Sequence, residues 1–188
     1  MANKSDITRN KMMLTGSFAK QGYDWWWHSL TAINSETGEP ESNTYIDVCY
    51  QNVRTGEDMS ITDINDLLLR KKTIILKGDF GLGKSRCIKQ LFDMLTSDPF
   101  SNPYTIAINL RDHWGAKRAP EILDRHFTEL GIDYKGFIKY YEASNVIYLL
   151  DGFDEMGTQS WSTDTKKMHH MRELSVCAIK DLLSRTQG

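Results

Sequence analysis

The chain is 188 residues long, 40% hydrophobic and 26% charged, with a formal net charge of −2 at pH 7. That length supports one domain with a substantial core plus an appendage, and the near-neutral balance excludes a general attraction to nucleic acid or an anionic membrane. No apolar run approaches the roughly 18 residues of a membrane span, and Met1-Ala2-Asn3-Lys4-Ser5-Asp6 lacks the apolar segment of a secretory signal. Cys49, Cys87 and Cys177 are odd in number and show no C-x-x-C spacing. They fit reduced thiols in a cytoplasmic protein and exclude a cysteine zinc site.

In chain order, residues 1–42 form a segment of their own. Trp25, Trp26 and Trp27 stand together before His28, and a polar tract with a Thr37-Gly38-Glu39 turn follows. Aromatic residues beside such a turn predict a β-hairpin. Residues 16–28 faintly resemble the opening of lipocalin-like β-barrel proteins, although the segment is far too short to close a barrel. Residues 43–188 alternate strand and helix. A strand is predicted over residues 45–50, a turn over 52–57, and a short helix carrying Ile64, Leu67 and Leu68 with Thr62 as its N-cap. The basic clusters Arg70-Lys71-Lys72 and Lys166-Lys167 read as solvated helix ends.

Thr73-Ile74-Ile75-Leu76-Lys77 reads as a short buried strand, and Gly78-Asp79-Phe80-Gly81-Leu82-Gly83-Lys84-Ser85 follows it directly. These eight residues are a complete G-x-x-x-x-G-K-S/T phosphate-binding loop. After them Ile88, Leu91, Phe92 and Leu95 recur at the spacing of a helix face. Strand, glycine loop and helix is the context that such a motif requires. Glycines let successive backbone N–H groups curl around an oxyanion, and the helix aims its positive end at the same point. Lys84 is placed to reach the β- and γ-phosphates, and the Ser85 hydroxyl to ligate Mg²⁺. Arg86 closes the run of candidate nucleotide-contacting residues.

Ser97-Asp98-Pro99 ends that helix, and residues 104–110 predict the next strand. His113 and Trp114 fall in the loop after it. Pro120 opens a helix carrying Ile122, Leu123, Phe127 and Leu130, closed by Gly131, and Phe137, Ile138 and Tyr141 mark a smaller one. Residues 145–150 are a continuous apolar run, as expected of a strand buried on both faces, and they lead into Asp151-Gly152-Phe153-Asp154-Glu155. A carboxylate at the tip of a buried strand is where Mg²⁺ finds a second anchor, so Asp151 is the candidate ligand, directly or through water. Asp154 or Glu155 is the candidate to orient or deprotonate an attacking water. Beyond them Met171, Leu174, Ala178, Ile179 and Leu182 share a helix face.

The phosphate loop at residues 78–85, with a hydrophobic strand ending in Asp151-Gly152-Phe153-Asp154-Glu155, resembles the NACHT group of signal-transducing P-loop ATPases. The resemblance runs from about Tyr45 to the C-terminus. It implies a three-layer α/β P-loop domain with a mostly parallel sheet. The strands before Gly78 and Asp151 are then expected to flank the nucleotide with at most one strand between them, and Ile61 and Ile64, just ahead of the first, to contact its base or simply to pack. It further implies a switch that reads ATP against ADP and associates with itself or with a partner protein. That family continues with a further strand ending in an arginine that senses the γ-phosphate. Here Arg185 follows a helix-like stretch, so the expectation is an incomplete domain whose turnover is slow, or a non-catalytic remnant that only binds. GTP is the alternative nucleotide, but the guanine-reading N-K-x-D tetrapeptide is absent after the loop, since Asn3-Lys4-Ser5-Asp6 precedes it.

Overall fold

The computed structural model describes residues 45–96, 104–113, 115–129, 146–153 and 165–184. It falls into two compact units, Met1–Asn102 and Pro103–Gly188, each considered by itself. The hairpin expected in residues 1–42, the small helix at 137–141, Trp114, Gly131 and Arg185 lie outside the described residues.

The first unit opens with a short antiparallel hairpin of β1 (Tyr50–Gln51) and β2 (Asp58–Met59), with Tyr50 opposite Met59. The strand predicted over 45–50 is therefore confined to its last residue. The turn at 52–57 forms as expected. The Asn52 side chain accepts from the Arg54 and Thr55 N–H groups, and Gly56, at φ +74°, donates to the Asn52 carbonyl at 2.7 Å.

Helix α1 (Ile61–Leu69) is N-capped by Ser60, not Thr62. Ser60 and Asp63 bond reciprocally as a capping box, Asp63 N–H donating to Ser60 Oγ at 3.2 Å and Ser60 N–H to Asp63 Oδ2 at 2.8 Å. Starting the helix two residues earlier brings Ile61 into its first turn, and Ile61 and Ile64 are both buried. The helix ends in a Schellman turn: Lys72 N–H donates to the Leu67 carbonyl and Lys71 N–H to the Leu68 carbonyl. Lys71 holds the left-handed position, φ 59°, that glycine usually fills.

The strand expected at residues 73–77 does not form. The segment runs without a ladder, and Ile75 is 76% exposed. An apolar run becomes a buried strand only where neighbours take up its N–H and C=O groups, and among the described residues none pairs with it. Helix α2 (Lys84–Thr96) buries Cys87, Leu91, Phe92 and Leu95 and packs against α1. Its apolar face is the predicted one rotated slightly, with Ile88 half-buried and Cys87 inside.

The second unit is built on a parallel pair, β3 (Tyr104–Asn109) and β4 (Val146–Asp151), in register from Tyr104–Val146 to Asn109–Asp151. Strand β3 is buried on both faces through Thr105, Ile106, Ala107 and Ile108. Strand β4 is half-buried except at Leu149, short of the two-sided burial its sequence predicts, because β3 is its single partner among the described residues. A 3₁₀ turn (Leu110–His113) continues from β3. Helix α3 (Ala119–Glu129) then packs on α4 (Thr165–Ser184). Ile122, Leu123, Phe127, Ala178 and Leu182 form their common core. Asp181 of α4 caps α3 by accepting from the Ala119 N–H at 3.1 Å. Among the described residues the architecture is thus mixed α/β with small sheets and one parallel pair.

Candidate nucleotide site

The glycine loop joins two different backbone regimes. Gly81 and Gly83 adopt φ +83° and +79°, left-handed values in which a side chain is strained, and a Cβ at either would meet only open space. The glycines are thus required by backbone conformation and not by crowding. They wind the chain into α2, whose ladder begins with the Cys87 N–H donating to the Gly83 carbonyl at 2.9 Å. The first N–H groups of the helix therefore have no intrahelical acceptor and point out of its positive end.

Lys84 is folded back over this loop. Its ammonium donates to the Gly78 carbonyl at 2.8 Å and to the Asp79 carbonyl at 3.0 Å. Two of its three donors thus hold the loop shut on itself. Ser85 is half-buried in the first turn, while Asp79, Phe80, Leu82 and Arg86 are exposed, Phe80 at 99%. Left-handed glycines, outward amides and a tethered ammonium are donors of the kind that can bind an oxyanion. The Ser85 hydroxyl in the first helical turn is an oxygen ligand of the kind Mg²⁺ takes. The first turn of α2 is anchored in turn to the hairpin. Cys87 bonds the Tyr50 phenol, and the Tyr50 and Tyr45 hydroxyls lie 2.8 Å apart. Burial, followed by these bonds, pushes the Tyr50 phenol far above its usual range. Burial likewise pushes the Cys87 thiol up, with the Tyr50 bond opposing it.

The second motif ends β4. Asp151 is half-buried and faces Asn109 in the ladder, so a carboxylate and an amide sit side by side at the carboxyl edge of the parallel pair. Ligands of open α/β sheets gather at that edge. Gly152 follows at φ +76°, and a Cβ there would come within 2.9 Å of Asn109 Oδ1. That amide oxygen accepts from the Arg111 N–H at 3.2 Å and so fixes the turn leaving β3. Asp112 also bonds Asn109, although burial, opposed by Arg111 and by this bond, leaves its carboxyl above the usual range. Asn109 carried no motif in the sequence. Its position is set by register with Asp151, which only the sheet reveals. Asp154 and Glu155 lie outside the described residues. His113, read in the sequence as a loop residue, is instead 1% exposed in the 3₁₀ turn.

No known family, no curated protein and no solved structure matches the chain. No helix among the described residues is long and apolar enough to cross a membrane.

Proposed function

We propose that the chain binds Mg²⁺-ATP as the switch module of a NACHT-type signalling ATPase, with slow hydrolysis, on a three-layer P-loop domain of cytoplasmic habit. The observation that carries this reading is the loop at residues 78–85. Two left-handed glycines lead into a helix whose first residue, Lys84, bonds back to the loop carbonyls.

In this reading the backbone amides of residues 81–85 hold the β-phosphate, and Lys84 exchanges a carbonyl contact for a bridge between β- and γ-phosphates. The Ser85 hydroxyl and the Asp151 carboxylate, directly or through water, are the ligands for Mg²⁺, which when bound neutralises phosphate charge. Asp154 or Glu155 orients the attacking water. ATP is favoured over GTP because no guanine-reading tetrapeptide follows the loop. The output runs through self-association or a partner protein.

The test is calorimetric titration of Mg²⁺-ATP into the protein and its Lys84→Ala variant. Loss of a charge-assisted phosphate contact weakens binding by at least about tenfold. Lys84→Arg is expected to fail too, since a planar guanidinium does not fit a cradle shaped for a compact ammonium. Equal affinity in all three proteins would sink the phosphate-loop assignment.

A second reading, a nucleotide-binding or interaction module without turnover, is favoured by the exposed apolar surface of Ile75, Phe80 and Leu82 beside the loop. Single-turnover hydrolysis by Asp154→Asn and Glu155→Gln separates the two. A slowed chemical step with intact binding supports the switch, and the absence of any turnover in the parent protein supports the second reading.

A further inference from the structure

The second unit contains a cluster that the nucleotide reading leaves unused. His113 projects from the 3₁₀ turn after β3, and His126 and Glu129 stand one helical turn apart on α3, which packs against that turn. One ligating atom from each of the three lies within 4.8 Å of the others. The imidazole rings meet edge to face with centroids 5.7 Å apart.

We propose that His113, His126 and Glu129 form a binding site for a divalent transition ion, zinc by its ligand chemistry, which clamps the 3₁₀ turn onto α3. Two imidazoles and one carboxylate are a recurrent zinc donor set that leaves the fourth tetrahedral position to water. Zinc ligands stand about 2.0–2.1 Å from the ion, hence roughly 3.3 Å from one another, so closing the cluster takes side-chain shifts on the order of an ångström. The same donors are poor for Mg²⁺, which prefers oxygen ligands in a near-ideal octahedron.

A buried atom without a partner points to a ligand here. His113 is 1% exposed, yet its Nδ1 has no hydrogen-bond partner. Buried polar atoms are rarely left so, and an unexplained one marks a site where a water or an ion belongs. Asp112, in the same 3₁₀ turn, sets a second carboxylate near Glu129. Arg125 lies near His113. Arg125 also lies near Glu129 and opposes a cation there.

The experiment is calorimetric titration of zinc chloride into the full chain after chelation and dialysis, with no nucleotide present. One zinc per chain is expected with a dissociation constant on the order of 10 μM or tighter. Magnesium chloride is expected to give no heat. Loss of a direct ligand exceeds the loss of an outer-shell partner, so His126→Gln and Glu129→Gln are each expected to weaken binding by at least about tenfold. Arg125→Gln strengthens it. His169→Ala and His170→Ala, on the exposed face of α4, leave it unchanged. If His113→Ala fails to fold, the exposed Glu129 variant still decides. Absence of zinc binding in the parent protein would show a packed imidazole pair and nothing more. Unchanged affinity in the His126 and Glu129 variants would move the metal to the exposed Cys49, Cys177, His169 or His170 and overturn the site.

Discussion

Gly152 carries two separable constraints, and replacing it by alanine measures both. At φ +76° an alanine occupies the left-handed region, which costs roughly 1–2 kcal/mol relative to its preferred conformations. Its Cβ would also stand 2.9 Å from Asn109 Oδ1, closer than real contacts allow, with the Arg111 nitrogen at 3.5 Å. Relief requires the Asn109 amide to move, which breaks its 3.2 Å bond to the Arg111 N–H and adds about 0.5–1.5 kcal/mol. Gly152→Ala is therefore expected to destabilise the protein by about 1.5–3.5 kcal/mol. Gly83→Ala supplies the control. Its φ of +79° is nearly the same, but its Cβ would meet nothing within 4 Å, so only the backbone contribution of roughly 1–2 kcal/mol remains. Urea unfolding followed by circular dichroism measures both, provided the slope of the transition is unchanged between variants. Adding Asn109→Ala should leave Gly152→Ala with the backbone contribution alone, because the obstructing atom is gone. Equal costs for the two glycines, or no rescue in the double variant, would refute the crowding argument and leave the Asp151-Gly152 turn without a steric reason for its glycine.

Lys71→Gly is expected to stabilise the protein by about 0.5–1 kcal/mol, since it relieves a left-handed non-glycine residue at the end of α1; a lowered melting temperature would show that the lysine side chain holds the turn. The Ser60 hydroxyl, followed by its N–H, holds the Asp63 carboxyl below its usual range. A depressed carboxylate contributes stability above its unfolded pKa and loses it as pH falls through the folded one. Asp63→Asn should therefore lower the melting temperature near neutrality, with the gap to the parent closing in acid below the ordinary carboxylate range; a gap independent of pH refutes the cap's ionic character. Iodoacetamide should label the exposed Cys49 and Cys177 well before Cys87, whose thiol is buried, bonded to Tyr50 and held protonated. Peptide mapping by mass spectrometry checks this, and early labelling of Cys87 would mean that α2 opens from the hairpin.

Local features of the fold were legible because their causes are local. The glycine loop was readable from residues 78–85 alone, since left-handed backbone at Gly81 and Gly83 and a helix beginning at Lys84 need no distant partner. The turn at 52–57 was readable for the same reason, through the Asn52 side chain. The cap of α1 was misplaced at Thr62 although its signal was present: Ser60 with an acid three residues on satisfies two backbone donors reciprocally, and Thr62 has no such partner. Residues 73–77 failed because an apolar β-branched run states a preference for a strand but cannot provide the neighbouring chain that makes one.

The candidate sites divide along the same line. The place of Asp151 at a strand end was legible because its motif is contiguous, yet its neighbour Asn109 became visible only when β3 and β4 came into register. That pairing gives Gly152 its steric role, since the amide a Cβ would strike belongs to the adjacent strand. His113 is the stronger case. In the sequence it stands beside Trp114 in what reads as a polar loop, and nothing in its own segment marks it as buried. Its environment is made by His126 and Glu129, which share a face of α3 only because that helix turns once every 3.6 residues or so. Two imidazoles from separate elements meet there, with one nitrogen of His113 lacking any hydrogen bond. Since a buried donor or acceptor without a partner costs on the order of 1–3 kcal/mol, the cluster either holds a ligand or destabilises the second unit, and the zinc titration distinguishes these outcomes.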